Sequence, residues 1–157
     1  NPNIIKSFLF TTDGYNFRNT DLGAYLGLIQ LKRLDGMVRT RNNNYQMFHK
    51  LVKKFEHKLY LPSINNRISS FALPLICKDG ADRTALISEM EAHGIEFRPI
   101  VSGNLLRQPF LKDYAKSSKM PNADILHTNG FYIANNHFVG KPELNLLENT
   151  LNIALRD

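Results

Sequence analysis

The sequence predicts an α/β fold with an α+β layer, because a strand, a helix and a second strand follow one another at short spacing. The strands are read in "ISSFALPLIC", residues 68–77, and "IEFRPIV", residues 95–101, and apolar positions at helical spacing lie between them. A chain of 157 residues, of which 43% are hydrophobic, is consistent with one domain that buries a core. We therefore expect helices packed on a small sheet and not a helical bundle.

The first part of the chain is predicted to be helical from about residue 20 to near Lys58. Asn19 or Thr20 is the candidate N-cap, and apolar residues then recur at helical spacing. The pattern fits two helices or one long bent helix. Because Gly23 and Gly27 lower helix propensity, they suggest close packing against another element.

The second part supplies the sheet and its supporting helices. Pro74 lies inside the first strand and predicts a sheet edge or a bulge, since proline donates no ladder hydrogen bond. Asp82 is the candidate cap of the next helix, which Gly94 ends. The segment "FYIANN", residues 131–136, is a candidate third strand, and a leucine stripe after Pro142 predicts a final amphipathic helix.

The charge balance allows several kinds of anionic partner. A net charge of +6 is compatible with nucleic acid, an anionic membrane or phosphorylated small molecules. The basic residues are spread over helices and loops and form no nucleic-acid-binding motif, so a basic nucleic-acid-binding module is the remote alternative. No apolar run is long enough to span a bilayer, and we expect a cytoplasmic protein without a membrane partner. Because the chain begins without methionine and in mid-pattern, we also expect it to be a piece of a longer protein.

No self-sufficient active site is visible in the sequence. The one cysteine, Cys77, lies in an apolar run that indicates a buried strand, and it can form no disulfide framework. The five histidines are dispersed without metal-ligand spacing, and all but His137 are interpreted as solvated or helix-end residues. We predict no metal site.

The segment "GYNFRNTD", residues 14–21, has two interpretations. It can simply start the first helix, or Asn16 and Arg18 can present an amide and a guanidinium to an anion near the helix N-terminus. Asp21 opposes a phosphate placed directly on that terminus. An anion bound here would therefore be held by side chains that flank the helix, on the same or on another subunit.

The segment "EFRPIVSGNLLRQP", residues 96–109, also has two interpretations. Glu96 and Arg98 lie on one face of the predicted strand, and Asn104 and Arg107 follow in the next turn. If Ser102, Asn104 and Arg107 share a cleft with Arg98, the set could bind a diphosphate, because guanidinium groups match phosphate oxygens. Alternatively, Glu96 and Arg98 are partners on an exposed strand face.

His137 follows Asn135 and Asn136 at the end of the third predicted strand. Polar side chains crowd there beyond what a turn requires, which suggests a site. A simple turn explains the same residues.

Two of these segments resemble a known family. "GYNFRNTDLGAYLGLIQLKRLD" is similar to the Gly-Tyr-Asn-x-Arg-x-Thr-Asp segment and following helix of the DegT/DnrJ/EryC1/StrS sugar-nucleotide enzymes. "GIEFRPIVSGNLLRQPFLKD" resembles the Arg-Pro, Gly-Asn and Arg-Gln-Pro stretch of the branch that removes the C3 hydroxyl of 4-keto-6-deoxyhexose nucleotides. The likeness runs from about Gly14 to Ala154.

The resemblance implies the small C-terminal domain of a fold-type I transferase that depends on pyridoxal or pyridoxamine phosphate. Residues 1–19 would carry the coenzyme-phosphate loop of a large domain that precedes this chain, and residues 20–157 would form the small domain. It implies a homodimer with shared active sites, in which Asn16 reaches the coenzyme phosphate of the neighbouring subunit. Arg18 would support that loop or approach the substrate diphosphate.

The resemblance also assigns the remaining site residues and the reaction. The nucleotide-diphosphate sugar would lie against a set of five side chains, namely Glu96, Arg98, Asn104, Arg107 and His137. A Schiff-base lysine in an aminotransferase, or a histidine in a dehydrase, would lie upstream of Asn1, so the catalytic residue is not expected in this segment. The dehydrase is the main expectation and the nucleotide-sugar aminotransferase the alternative; in both, the coenzyme carries the chemistry. This segment alone would be inactive.

Overall fold

A computed structural model of the chain describes residues 6, 9–12, 14, 20–64, 68–111, 113 and 119–156. The helices are α1 (Asp21–Leu31), α2 (Leu34–Lys53), α3 (Gly80–Ala92), α4 (Pro121–Asn129) and α5 (Lys141–Ala154). The strands are β1 (Ala72–Ile76), β2 (Phe97–Pro99) and β3 (Gly130–Ala134), and two short 3-10 turns cover Leu105–Arg107 and Pro109–Leu111. None of the helices in these ranges is long and apolar enough to cross a membrane.

The three strands form one sheet in the order β1-β3-β2. β3 is antiparallel to both neighbours, so β1 and β2 run in the same direction and α3 connects them across the inserted β3. This confirms the predicted α+β layer. β1 is an edge strand, as Pro74 predicted, because its missing N–H then costs the sheet no interior hydrogen bond.

The core lies between one face of this sheet and the helices. Alternate strand residues share that face, and α5 packs against α2 and α3. The buried residues of the cluster come from every layer and include Phe48, Val52, Leu73, Leu75, Leu86, Met90, Phe131, Leu147 and Leu151. Burial of this apolar surface is the main term that stabilises the fold.

Two helix starts test the predicted caps. Thr20 is the N-cap of α1, where its Oγ1 accepts a hydrogen bond of 3.1 Å from Gly23 N. The cap predicted at Asp82 is wrong: Asp79 has the extended backbone of a cap and accepts a hydrogen bond of 2.6 Å from Ala81 N. Asp82 lies in the first turn, where a carboxylate also favours the helix dipole, and this explains the ambiguity.

The helices and strands are shorter than the segments predicted from the sequence. The helical region separates into α1 and α2 with a break at residues 32–33, and α2 ends at Lys53 with turns up to residue 58. The strands are shorter than the apolar runs that predicted them. Strand length is set by the ladder partner, and β2 pairs over only three residues of β3.

α1 stands apart from the core, since none of its residues is buried. The close packing predicted at Gly23 and Gly27 is not found within the described chain. A Cβ at Gly27 would meet nothing within 4 Å, and one at Gly23 would meet only the hydroxyl of Thr20 at 3.3 Å.

Candidate functional site

The first candidate segment is the loop before α1. Asn16 and Arg18 both lie outside the described residues, so their predicted roles remain predictions. Thr20, at the end of this segment, is described and caps α1. For Thr20, the structure therefore confirms the interpretation that the segment starts a helix.

The second candidate segment, after β2, is organised around Asp124 of α4. Asp124 Oδ1 accepts a hydrogen bond of 2.7 Å from Asn104 Nδ2 and another of 2.7 Å from Arg107 Nε. The hydrogen bond from Arg107, followed by that from Asn104, lowers the pKa of the Asp124 carboxyl. The structure thus brings Asn104 and Arg107 together through a carboxylate that the sequence analysis did not single out.

The amides of this loop are used for its own architecture. Asn104 is buried, and its Oδ1 accepts a hydrogen bond of 3.0 Å from Leu106 N, which caps the first 3-10 turn. Gln108 is buried as well; its Nε2 donates to Ser102 O at 3.2 Å and its Oε1 accepts from Phe10 N at 3.1 Å. Gln108 therefore ties the N-terminal segment to the loop, a role that its position in an Arg-Gln-Pro motif did not reveal.

His127, in the last turn of α4, closes the loop from the other side. Its Nδ1 accepts a hydrogen bond of 3.3 Å from Asn104 N. Burial, and next the positive charge of Arg107, lower the pKa of His127. The buried Nε2 has no hydrogen-bond partner among the described residues. The helix-end interpretation of this histidine is confirmed, but its ring is partly buried and not fully solvated.

The turn between β2 and this loop has an unusual backbone. Gly103 has φ +60°, and Val101 has φ +37°, a value that β-branched residues rarely adopt. A Cβ at residue 103 would stand 2.2 Å from His127 Nδ1. The glycine is thus required both by the backbone conformation and by the contact with His127.

Glu96 and Arg98 form an exposed ion pair. Arg98 Nη2 donates to Glu96 Oε1 at 2.6 Å, and Nε donates to the same oxygen at 3.1 Å. Arg98 lies opposite Tyr132 in the ladder, and Tyr132 also pairs with Pro74, so the three lie on the face opposite the core. This is the arrangement that the exposed-partner interpretation predicted, and it leaves the pair accessible to a ligand.

The third candidate, His137, lies in an exposed turn after β3. Its ring stacks on Phe138 with centroids 4.0 Å apart and an interplanar angle of 36°. Asn136 Oδ1 accepts hydrogen bonds from Phe138 N at 2.8 Å and Val139 N at 3.2 Å, which shapes the turn. His137 is therefore presented to solvent by a turn that its neighbour stabilises.

Asn135, two residues before His137, has a structural role. It is buried, and its Nδ2 donates to Ser70 O at 2.8 Å and Arg41 O at 3.1 Å. Asn44 of α2 donates to Asn135 Oδ1 at 3.3 Å and to Val139 O at 2.7 Å. Thus the polar crowding after β3 joins this strand end to α2 and to the chain before β1.

Chemically, the described part of these segments offers guanidinium and amide donors, which suit the oxygens of phosphate groups. No group of three or more His, Cys, Asp or Glu that could hold a metal ion occurs among the described residues. The arrangement can bind and position an anion. It does not by itself assemble a nucleophile with a base.

The chain is similar in sequence to known proteins. The profile of the DegT/DnrJ/EryC1/StrS aminotransferase family matches residues 4–140. The GDP-4-keto-6-deoxy-D-mannose 3-dehydratase of Escherichia coli O55:H7 is 32% identical over an alignment of 153 positions that covers 93% of this chain and 39% of that protein. The chain therefore spans about two fifths of the length of this relative.

Solved structures show the same likeness. E. coli GDP-4-keto-6-deoxy-D-mannose-3-dehydratase with bound hydrated PLP matches with a TM-score of 0.75 and 29% identity, covering 93% of this chain and 39% of that chain. An aminotransferase from Psychrobacter cryohalolentis matches with a TM-score of 0.71 and 19% identity, covering 88% of this chain and 39% of that chain. The second likeness shows a shared fold alone.

Proposed function

Because the chain belongs to the DegT/DnrJ/EryC1/StrS aminotransferase family, we propose that it is the C-terminal portion of a nucleotide-sugar 3-dehydratase. The intact enzyme uses pyridoxamine or pyridoxal phosphate and removes the C3 hydroxyl of a 4-keto-6-deoxyhexose nucleotide. The observation that carries this proposal is the 32% identity to a GDP-4-keto-6-deoxy-D-mannose 3-dehydratase, which extends over 93% of this chain.

The proposed part of this chain in the reaction is to bind and orient the substrate. Arg107 is held through Nε by Asp124, so its terminal nitrogens remain the groups that bind a diphosphate oxygen. Asn104 holds the same carboxylate and caps the adjoining turn, so it acts by positioning Arg107. Glu96, Arg98 and His137 face the sugar-nucleotide side, and their exposure in the described chain supports this role.

The coenzyme belongs mainly to the large domain that precedes residues 20–157. When bound, it supplies the electron sink that makes loss of the C3 hydroxyl possible. From this chain, Asn16 of the segment 1–19 binds its phosphate across the interface of a cytoplasmic homodimer, and Arg18 supports that loop. The family profile matches residues 4–140, a range that includes Asn16 and Arg18, and this match supports the assignment.

The alternative is a nucleotide-sugar aminotransferase of the same family. It is supported by the match to the DegT/DnrJ/EryC1/StrS aminotransferase family over residues 4–140. The residue that would distinguish the two reactions is a lysine or a histidine upstream of Asn1. Product analysis separates them, because a dehydratase releases the C3 oxygen and an aminotransferase adds an amino group at C4.

The test uses a single-chain chimera in which this chain replaces the matching part of the E. coli enzyme. The chimera is incubated with pyridoxal or pyridoxamine phosphate, freed of excess coenzyme, and its visible absorbance is measured. We expect retained coenzyme, and we expect Asn16→Ala to lower its retention, whereas the exposed control Asn145→Ala leaves it unchanged. If a folded, dimeric chimera retains neither coenzyme, the proposal fails.

A further inference from the structure

The turn that leads from β2 to Asn104 and Arg107 has a strained backbone. Val101 has φ +37° and Gly103 has φ +60°, and a β-branched residue at positive φ is an outlier. Such a conformation costs free energy and persists only where the surrounding structure holds it. The contacts that hold this turn therefore also determine where Asn104 and Arg107 lie.

His127 of α4 holds the centre of this turn. Its Nδ1 accepts a hydrogen bond of 3.3 Å from Asn104 N, and a Cβ added at Gly103 would stand 2.2 Å from the same Nδ1. Asp124, one turn earlier on α4, accepts hydrogen bonds from the side chains of Asn104 and Arg107. Thus His127 fixes the backbone of the loop and Asp124 fixes its side chains.

A histidine at position 127 has a cost that an apolar side chain would avoid. The buried Nε2 of His127 has no hydrogen-bond partner among the residues that the structure describes. A buried polar atom without a partner is unfavourable, and an apolar side chain of similar size would leave none. The imidazole is therefore explained by its other nitrogen, Nδ1, and by the hydrogen bond from Asn104 N. Burial, and next the charge of Arg107, lower the pKa of His127, which favours the neutral ring that can accept this bond.

We propose that His127 is a positioning residue for the substrate diphosphate: by fixing the turn at Gly103 and Asn104, it sets the direction in which Arg107 presents its terminal nitrogens. The inference rests on the proposed function, in which Arg107 binds a diphosphate oxygen. A guanidinium binds phosphate oxygens best in a defined geometry, so a displaced loop weakens the contact. Because Nε2 of His127 is buried and Nδ1 is bonded to the loop, His127 acts through Arg107 and does not contact the substrate.

The competing interpretation is that His127 only fills the space between α4 and the turn. The two interpretations depend on different properties of the side chain, namely its volume for packing and its acceptor atom for positioning. His127→Asn keeps an acceptor, because the asparagine Oδ1 can take the place of Nδ1, but it loses the volume of the ring. His127→Phe keeps an aromatic ring and has no acceptor. Affinity that follows the acceptor and not the volume supports positioning.

The experiment measures the affinity of the single-chain chimera for GDP-mannose by isothermal titration calorimetry. GDP-mannose is a nucleotide-diphosphate sugar without a 4-keto group, so it can bind but cannot enter the reaction. We expect His127→Phe to raise Kd about tenfold, since the charge-assisted contact to the diphosphate is weakened, and His127→Asn to stay within about threefold of the parent. The control is His93→Asn, which removes another partly buried histidine at a helix end and should leave Kd unchanged.

A double-mutant cycle tests whether His127 acts through Arg107. We expect Arg107→Ala to raise Kd by itself. In that background His127→Phe should have no further effect, because the residue that it positions is absent. Gly103→Ala, which pushes the turn away from the ring of His127, should give the same pattern and serves where His127→Phe does not fold, as judged by circular dichroism.

The outcomes separate this inference from the proposed function. If Arg107→Ala weakens binding but neither His127→Phe nor Gly103→Ala does, the positioning role is wrong and the proposed function stands. Equal increases in Kd for His127→Phe and His127→Asn, or additive effects with Arg107→Ala, indicate a packing role and also overturn the inference. If the chimera retains coenzyme but Arg107→Ala leaves Kd unchanged, the proposed substrate contact of Arg107 fails, and the inference fails with it.

Discussion

Arg107 and Asp124, 17 residues apart in the chain, form an ion pair in which Arg107 Nε donates to Asp124 Oδ1 at 2.7 Å. The same oxygen accepts a hydrogen bond from the Asn104 amide, so one carboxylate holds both Arg107, proposed to bind the diphosphate, and Asn104, proposed to position Arg107. The pair is partly exposed. Its importance therefore comes from its position at the junction of α4 and the loop after β2.

Asp124→Asn tests this junction through the pH dependence of stability. The pKa of Asp124 is lowered in the folded state, so the ionised carboxylate stabilises the fold above its ordinary pKa of 3.8. That stabilisation is lost as the pH falls through the lower folded value. We expect Asp124→Asn to lower the urea midpoint at neutral pH and to leave it nearly unchanged at the acid end, measured by circular dichroism.

Glu96→Gln is the matched control, because it removes the carboxylate of the other arginine pair. That pair is exposed and has no supporting amide, so its loss should change the free energy of unfolding by about 0–1 kcal/mol. Equal effects of the two substitutions would contradict the special role of Asp124.

Gly103→Ala tests the contact between the loop and His127. The new methyl group would clash with His127 Nδ1 and would also occupy a positive φ of +60°. Gly94 has a similar φ of +68° but open space at its Cβ position. We expect Gly94→Ala to cost about 1 kcal/mol and Gly103→Ala to cost about 1–3 kcal/mol more, measured by urea unfolding. Equal costs would mean that His127 moves aside freely.

Asn135→Ala tests the buried amide network after β3. The substitution leaves the carbonyls of Arg41 and Ser70 without their amide donor. Because buried polar groups without partners are costly, we expect a loss of about 2–4 kcal/mol in the free energy of unfolding. Asn145→Ala, at an exposed position of α5, should change it by less than about 0.5 kcal/mol. A loss of similar size in both variants would contradict the network.

Cys77 is expected to be unreactive in the folded chain. Burial, and next the charge of Asp82, raise the pKa of its thiol to about 12. Because the thiolate is the reacting form, we expect a disulfide reagent at about pH 8 to modify the native thiol at least about a hundredfold more slowly than the unfolded one. Ser88→Cys, which adds an exposed thiol on α3, provides the control and should react at the unfolded rate. Rapid modification of native Cys77 would show that β1 opens readily.

Features with a local cause were predictable from the sequence. Thr20 caps α1 because a short hydroxyl side chain before a helix can reach a free N–H. Pro74 lies on an edge strand because of its missing donor. The exposed pairing of Glu96 with Arg98 follows from the two-residue repeat of a strand. Asp79 was missed as a cap because two aspartates three residues apart satisfy the same local rule.

Contacts between distant segments could not be predicted in this way. Asp124 meets Arg107 only because α4 lies beside the loop after β2, and His127 is partly buried for the same reason. Asn44 meets Asn135 across 91 residues of chain. Residue type indicates what each side chain can bind, but the partner is set by how the layers pack.

The amino-acid sequence by itself determined the order of strands and helices, the apolar character of α1 and the family to which the chain belongs. These depend on local backbone preferences and on patterns that are read one segment at a time. Only the tertiary structure decided that Asp124 holds Asn104 and Arg107, that Gln108 contacts Phe10 of the N-terminal segment, and that the described residues bury no side chain of α1. The physical reason is that hydrogen-bond partners and buried surface are created when segments far apart in the chain are brought together by the core.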